Sequence, residues 1–453
     1  MWNRDRRHLL PLAGSIFILV FIGFGLYGGK LTTAVPFQTI RPSSISLSTP
    51  SHTSGQHAIP QQGNPPAAAF VVAEHYTEVF SVSTKDKKYF EIDFAGHGAI
   101  NPNIIPHPVF NKTWILVAQQ FNHRAVPNSV WNAELTCNGV FKDGALRCDD
   151  SPLILPIAST TGGKCPGKMA YMDWNVGPHD ARVFYGPKMP YAIFGSNSLF
   201  TCFGQWIQDM RALVDWGLDT YLKQEFHKAT ELQRPAPYGL IEKNWFVFWD
   251  NNEQMYAHYD LGLKRVFAKV DGTGSIGEDL APLAAASDKG CLAKYVPKSI
   301  PGLESIHQAT NSLAISLCKR ADACVPNDSN TFILTIFHHK TFYYFHSVYE
   351  PYVMLFQQKA PFAIHAISKK PIWIHGRGGP GQGKKPQGFP ADLARAWNQT
   401  EMFYVTSLSW KTQGQKYHGF VDDVMFMSFG IEDSRTAGID ITAGDLLKDM
   451  GLC

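Results

Sequence analysis

The feature that most limits what this chain can become is a succession of short runs of β-branched and aromatic residues, each closed by turn residues. Residues 113–118, 182–185, 191–194, 244–248, 255–259 and 265–268 are the clearest in the first half; 331–337, 352–356, 362–367, 371–374, 402–406, 424–429 and 438–441 follow. Runs of this length and content are strands, because branched and aromatic side chains suit a pleated, half-buried surface. The 38 Gly and 29 Pro supply the turns between them. A dozen or more short strands with few helical periods predict an all-β body of the sandwich, barrel or propeller kind. The runs gather near residues 91–147, 174–235, 240–300, 303–377 and 400–445, which predicts a five-bladed β-propeller. One segment departs from the pattern: residues 205–216 carry Trp206, Met210, Leu213 and Val214 at helical spacing and read as a short helix or a covering insertion. The Gly- and Lys-rich residues 376–386 read as a flexible surface loop, since no strand-to-helix context makes them a phosphate loop.

The N-terminal end sets the expected compartment. Residues 1–8 form a short basic tail, and residues 9–27 are an uncharged run about as long as a bilayer requires. Arg4, Arg6 and Arg7 precede that run and little positive charge follows, so a single-pass type II signal anchor with the body in the lumen is expected, rather than a cleaved signal peptide. Residues 28–70, rich in Ser, Thr, Pro, Gln and Ala, read as a disordered stem, and 71–453 as one lumenal domain. The formal charge of +3 falls within the first thirty residues, so the body is balanced and carries no electrostatic footprint for nucleic acid. Asn111, Asn327 and Asn398 begin triplets that have the form of glycosylation acceptors. The 8 Cys, all beyond residue 130 and never as Cys-x-x-Cys, point to disulfides in an oxidising lumen. Cys137 with Cys148, and Cys318 with Cys324, sit close enough to pair; the other four cannot be paired from the sequence.

Charged clusters at strand ends, with aromatics between them, are how an all-β scaffold presents a sugar site. Two such clusters occur here: Pro178-His179-Asp180-Ala181-Arg182, and Glu242-Lys243-Asn244-Trp245 continuing through His258 and Tyr259 to Arg265. Glycosyl transfer or cleavage passes through an oxocarbenium-like state and needs a carboxylate to move a proton. Asp180, just ahead of a strand, is the first choice; the plain alternative is a turn-capping aspartate. Arg182 offers a bidentate fork and Lys243 a point charge for a phosphate, unless either pairs structurally with Glu242 or Asp260. Trp245 and Tyr259 are candidates to stack on sugar rings and His258 to line the site, though all three residue types more often pack in a core. Asp422, Asp423 and Glu432 are candidates for a second acid. The absence of any Asp-x-Asp removes the metal-diphosphate clamp, so no metal or other cofactor is expected.

These motifs, in this order, resemble the fungal β-1,2-mannosyltransferases and, more distantly, the mannoside phosphorylases and mannosidases built on five-bladed propellers. Asp180 and Arg182 stand as in the family's Glu-Asp-Pro-Arg element, with His179 and Ala181 in place of its Glu and Pro; Glu242-Lys243-Asn244-Trp245 matches fully. Asn101-Pro102-Asn103 falls one blade earlier, where the family carries an Asn-Pro near the sugar. The resemblance spans roughly residues 95–270, and residues 422–429 look like part of a final blade. It implies that Asp180 acts as acid or base, partly through a sugar hydroxyl, and that Asn101, Asn103, Arg182, Glu242 and Lys243 surround the sugar.

The leading expectation is therefore a metal-independent Golgi or other secretory-pathway glycosyltransferase. It would move a mannose-like sugar from a nucleotide donor such as GDP-mannose to a glycan acceptor, with inversion. An anchored glycoside hydrolase or phosphorylase using the same pocket is the alternative. Inverting hydrolysis needs two placed carboxylates, and only Asp180 stands out. A third reading is a non-catalytic glycan-binding propeller, kept open by the His179 and Ala181 departures.

Overall fold

The computed structural model describes residues 71–121, 130–215, 225–262, 264–343, 346–387, 389 and 397–453. The expected basic tail, membrane anchor and stem lie outside the described residues. Among those described, no helix is long and apolar enough to cross a membrane.

The body is all-β. A four-stranded sheet is made by His179–Tyr185, Pro190–Asn197, Phe203–Asp209 and Thr230–Glu231, and a three-stranded sheet by Phe246–Trp249, Met255–Asp260 and Val266–Lys269. A seven-stranded sheet is built on the long hairpin of Thr331–Tyr343 and His346–Gln357. A nine-stranded sheet joins the two ends of the body: Phe90–Asp93 pairs antiparallel with Arg435–Thr442 through Phe90 and Glu91, then parallel with Ala145–Cys148 through Ile92 and Asp93. The hydrogen-bonded sheets thus do not divide into five: the described residues make six, two of them only two-stranded.

Inner strands of different sheets lie side by side, Ala99–Pro106 against both His179–Tyr185 and Phe403–Trp410. Side chains, not ladders, join neighbouring sheets there. Asn103 on Ala99–Pro106 donates to Ala181 O (2.8 Å) and accepts from Val183 N–H (3.0 Å). Arg182 Nε donates to Ala309 O (3.1 Å), and Ser312 Oγ to Val247 O (2.7 Å). Asn311 Nδ2 donates to Leu408 O (2.9 Å), and Thr406 Oγ1 to Pro102 O. Each bond satisfies a buried backbone group that has no strand partner on that side, so the inter-sheet seams stay closed.

Two large apolar clusters fill the layers between sheets, one around Phe248, Phe267, Phe356 and Phe362, the other around Phe403, Trp410 and Phe429. Strands with sheets on both sides are buried on both faces, as Pro190–Asn197 and Phe403–Trp410 are throughout. That sandwiching explains the one misread segment. Phe203–Asp209 is a strand with Trp206 and Ile207 both buried, so its apolar residues follow no two-residue alternation and imitate a helical period; only Met210–Ala212 turns, as a single 3-10 turn. Among the described residues the longest helix is Ala285–Tyr295, which was not foreseen. Residues 376–386 are better anchored than a free loop: Arg377 is buried, paired with Glu350 (3.2 Å) and lying over the Trp373 ring. Cys137–Cys148 and Cys318–Cys324 are disulfides as expected, and the remaining four cysteines form Cys165–Cys202 and Cys291–Cys453.

Candidate active site

Two β-bulges meet at the centre. Pairing slips between Ile100 and Asn103 on one strand and between His179 and Arg182 on another. Asn101 and Asp180 occupy the bulges with φ of +54° and +53°, a region that Asn and Asp tolerate better than most residues. A bulge re-aims a side chain out of the pleat. Here the two are aimed at each other: Asn101 Nδ2 donates to Asp180 Oδ1 at 2.6 Å.

The left-handed turn at Asp180 is held from behind. Gln119 Oε1 accepts the Asp180 N–H (2.9 Å), Glu134 Oε1 accepts the Ala181 N–H (3.0 Å), and Asn103 binds both sides of the next peptide units. A strained backbone angle persists only where its surroundings over-determine it, and three polar side chains from the adjoining sheet do so here.

On the open side, Lys243 Nζ stands 3.2 Å from Asp180 Oδ2 and His179 Nδ1 2.7 Å from the same oxygen. Burial alone would raise the Asp180 carboxyl; the His179, Lys243 and Arg182 charges outweigh it and hold that carboxyl well below the ordinary range. Glu134 behaves oppositely. It is fully buried, the Ala181 N–H only partly compensates, and the Asp180 charge adds to the effect of burial, so its carboxyl is pushed up to about 8. Its Oε2 has no hydrogen-bond partner. Arg182 spends Nε on Ala309 O and Nη1 on Asp180 O (2.8 Å), leaving Nη2 buried and unpartnered. A small cavity of about 20 Å³, room for about one water molecule, lies between Asp180, Arg182, Lys243, Trp245, Thr310 and Asn311.

The facing wall comes from the C-terminal half. Tyr404 lies under the Arg182 guanidinium, 5.8 Å from ring centroid to Cζ, and its ring meets His338 (4.9 Å) and Tyr349 (4.7 Å). Lys340 sits over Tyr349, 5.4 Å from its centroid. Burial, helped by the Lys340 and Lys243 charges, lowers His307 to about 4. Asp433, in the turn after Val424–Ile431 with φ +44°, is raised by burial and then by the Asp180 and Glu432 charges, against Lys340 and Lys243. Asp433 is an exposed residue, so solvent screens the charges that act on it.

Asn101, Asp180, Arg182 and Lys243 are thus brought together. Trp245 reaches the cavity only by an edge, being 4% exposed and packed against Tyr259 (4.6 Å). Several other candidates have structural partners instead. Asn103 is 1% exposed and serves as a seam bond. Glu242 is bound on both oxygens by Arg234 (3.1 and 2.9 Å), whose other nitrogen holds Asp260. Tyr259 is core, its hydroxyl donating to Gln233 O. His258 and Arg265 form a buried chain, Arg265 Nε donating to His258 Nε2 (3.0 Å) and Nη1 pairing with Asp288 (2.7 Å), which ties Ala285–Tyr295 to the sheet. Asp422 and Asp423 clamp Arg320, with Asp422 accepting its backbone N–H (2.7 Å), and do not line the cavity. Glu432 caps the Met402 and Lys384 N–H groups. Its neighbour Asp433 stands near enough to Asp180, Lys340 and Lys243 to feel their charges. Asp433, next to the nominated Glu432, was not among the sequence candidates, and Tyr404, His338, Lys340 and Tyr349 lie inside strands and belong to no motif. Among the described residues, no group of three or more His, Cys, Asp or Glu side chains is placed to hold a metal ion.

No protein-family profile and no curated protein sequence matches this chain. Solved structures do. A β-1,2-mannobiose phosphorylase from Listeria innocua is similar over 82% of this chain and 96% of its own, at 13% identity and a TM-score of 0.41. An endo-arabinase from Bacteroides thetaiotaomicron is similar over 78% and 96%, at 11% identity and TM-score 0.37. A glycosyl hydrolase from Bacteroides ovatus covers 80% and 90%, at 8% and 0.35. These are a phosphorylase and two hydrolases, and they correct the expectation of a nucleotide-sugar glycosyltransferase.

Proposed function

We propose that this chain cleaves the glycosidic bond of mannosides with inversion, using inorganic phosphate as the attacking group. What carries the reading is a pair of carboxyls with opposite shifts beside one cluster of cations: Asp180 held ionised, Asp433 pushed toward its neutral form, Lys243 near both, Arg182 near Asp180 and Lys340 near Asp433. Titratable groups whose surroundings push them apart are the usual division into base and acid.

In this scheme Asp433 gives its proton to the leaving oxygen. Asp180 accepts a hydrogen bond from a sugar hydroxyl and orients the ring, with Asn101 fixing its other oxygen. Phosphate arrives as an oxyanion and needs no base; the buried, unpartnered Arg182 Nη2 and the two lysines draw it in. The mannose identity rests on the motif resemblance at Asn101, Asp180, Arg182 and residues 242–245. Hydrolysis is the second reading, favoured by the same two carboxyls, with Asp180 deprotonating a water.

Incubation with β-linked mannobiose, with and without phosphate, tests both. Mannose 1-phosphate formed only with phosphate supports phosphorolysis, and free mannose formed without it supports hydrolysis. Unchanged mannobiose in both tubes would overturn the proposal. Four disulfides support a place in an oxidising compartment such as the secretory lumen, and we read the nine-stranded sheet as two blades of a five-bladed propeller.

A further inference from the structure

A second and much larger cavity, of about 1100 Å³, opens beside the helix Ala285–Tyr295. Ala285, Asp288, Lys289, Leu292, Ala293 and Val296 line it. They recur at steps of three and four, so one face of the helix, prolonged a residue past its end, makes a whole wall. Leu261 and Ile306 contribute to the rest of the lining. The wall is fixed in place, because Cys291 is bonded to Cys453 and Asp288 pairs with Arg265.

Among the described residues, the charged groups in this lining are four cations, Lys264, Arg265, Lys289 and Lys298, and one acid, Asp288. The acid is already engaged: one oxygen pairs with Arg265 (2.7 Å) and the other accepts the Ile364 N–H (2.8 Å). The three lysines are exposed, whereas Arg265 is 2% exposed and lies deeper. Its guanidinium has a donor to spare. Nε goes to His258 and Nη1 to Asp288 and Phe362 O, while Nη2 is buried with no hydrogen-bond partner. A buried cationic donor without an acceptor is costly, and it marks a place where an acceptor belongs.

Apolar walls, one orphaned cationic donor within and an excess of cations at the entrance suit one kind of guest. We propose that this cavity binds a small apolar acid, with its carboxylate on Arg265 Nη2 and its hydrocarbon body along the helix face. The carboxylate makes a charge-assisted bond, the lysines draw anions to the entrance, and the body takes Leu292 and Val296 out of water. The inference does not rest on the function proposed above. Ile306 lines this cavity, while His307, the next residue of Glu304–Gln308, feels the Lys340 and Lys243 charges; successive residues of a strand face opposite ways, so the two sites lie on opposite sides of it.

Calorimetry on the full chain, in low salt near pH 7.5, compares decanoate below its micellar concentration with uncharged decanol. Two variants accompany the wild type. Ala293→Trp fills the cavity from an exposed helix position, and Arg265→Lys keeps a cation for Asp288 but removes the spare guanidinium donor. The wild type should bind decanoate about tenfold more tightly than decanol, the worth of one charge-assisted hydrogen bond. Ala293→Trp should abolish binding of both, and Arg265→Lys should weaken decanoate about tenfold with decanol unchanged. No binding of decanoate, equal affinity for acid and alcohol, or binding that survives Ala293→Trp would overturn the proposal. So would a folded Arg265→Lys with wild-type affinity for decanoate. Where Arg265→Lys fails to fold, the comparison of acid with alcohol and the Ala293→Trp variant decide.

Discussion

Glu134 offers the most quantitative test of how the centre is built. Its carboxyl lies behind the Asp180 turn, wholly buried, with Oε1 accepting the Ala181 N–H and a titration point moved from 4.5 to about 8. In the unfolded chain it ionises at its ordinary position, so the folded state holds a proton that the unfolded state gives up. The stability linked to that proton is present in full below about pH 4.5 and is lost as pH rises toward 8. At 1.36 kcal/mol per pH unit, the whole span is worth about 5 kcal/mol, of which about 3 falls between pH 4.5 and 7. Glu134→Gln keeps an oxygen for Ala181 and removes the titration. Its absolute stability relative to wild type depends on how the new amide is accommodated, so the informative quantity is the pH dependence of the difference. Urea unfolding at a series of pH values should show the variant gaining about 3 kcal/mol on wild type between pH 4.5 and 7. Other groups titrate in both proteins and cancel. Parallel stability curves would refute the claim that Glu134 is held neutral, and with it the account of how the turn is braced.

Three further outcomes follow from the same geometry. Asp180→Asn keeps a residue tolerant of positive φ, so the thermal midpoint should hold within a few degrees while turnover drops by about 10²–10⁴; a folded variant with wild-type rates would remove Asp180 from the chemistry. Asn103→Ala leaves the buried Ala181 carbonyl and Val183 N–H without their seam partner and should cost about 3 kcal/mol in urea unfolding; a cost near zero would mean that the seam is held elsewhere. Asp423→Ala should cost about 1 kcal/mol by freeing Arg320, with kcat/KM unchanged; an activity loss would return that residue to the candidate site.

The strand content was legible because β-branched and aromatic runs between turns have few other uses, and Asp180, Arg182, Lys243 and Asn101 stood out by their motifs. What sequence could not supply was direction. Glu242 and Lys243 are adjacent, yet one points back to Arg234 and the other into the cleft, a split set by the irregular chain ahead of Phe246–Trp249 and by partners distant in sequence. His258 and Arg265 resembled a site because buried ion networks and binding sites draw on the same residue types. Asp433 and Tyr404 were missed for the converse reason: a turn acid and a strand tyrosine carry no local signal, and their importance comes from the partners that tertiary folding brings to them.

The strand Phe90–Asp93, shared between the last strands of the chain and the first, fixes when the protein can begin to work. As the polypeptide leaves the ribosome, Asn101, Asp180 and Lys243 appear early, but Tyr404 and Asp433 come only near the end, and the nine-stranded sheet cannot join its two halves until Arg435–Thr442 arrives. A nascent chain lacking its final stretch would carry Asn101, Asp180 and Lys243 without the Tyr404 and Asp433 side of the cluster. Contacts between such distant parts of a sequence also form slowly, so maturation should end with this closure rather than with the making of any single sheet.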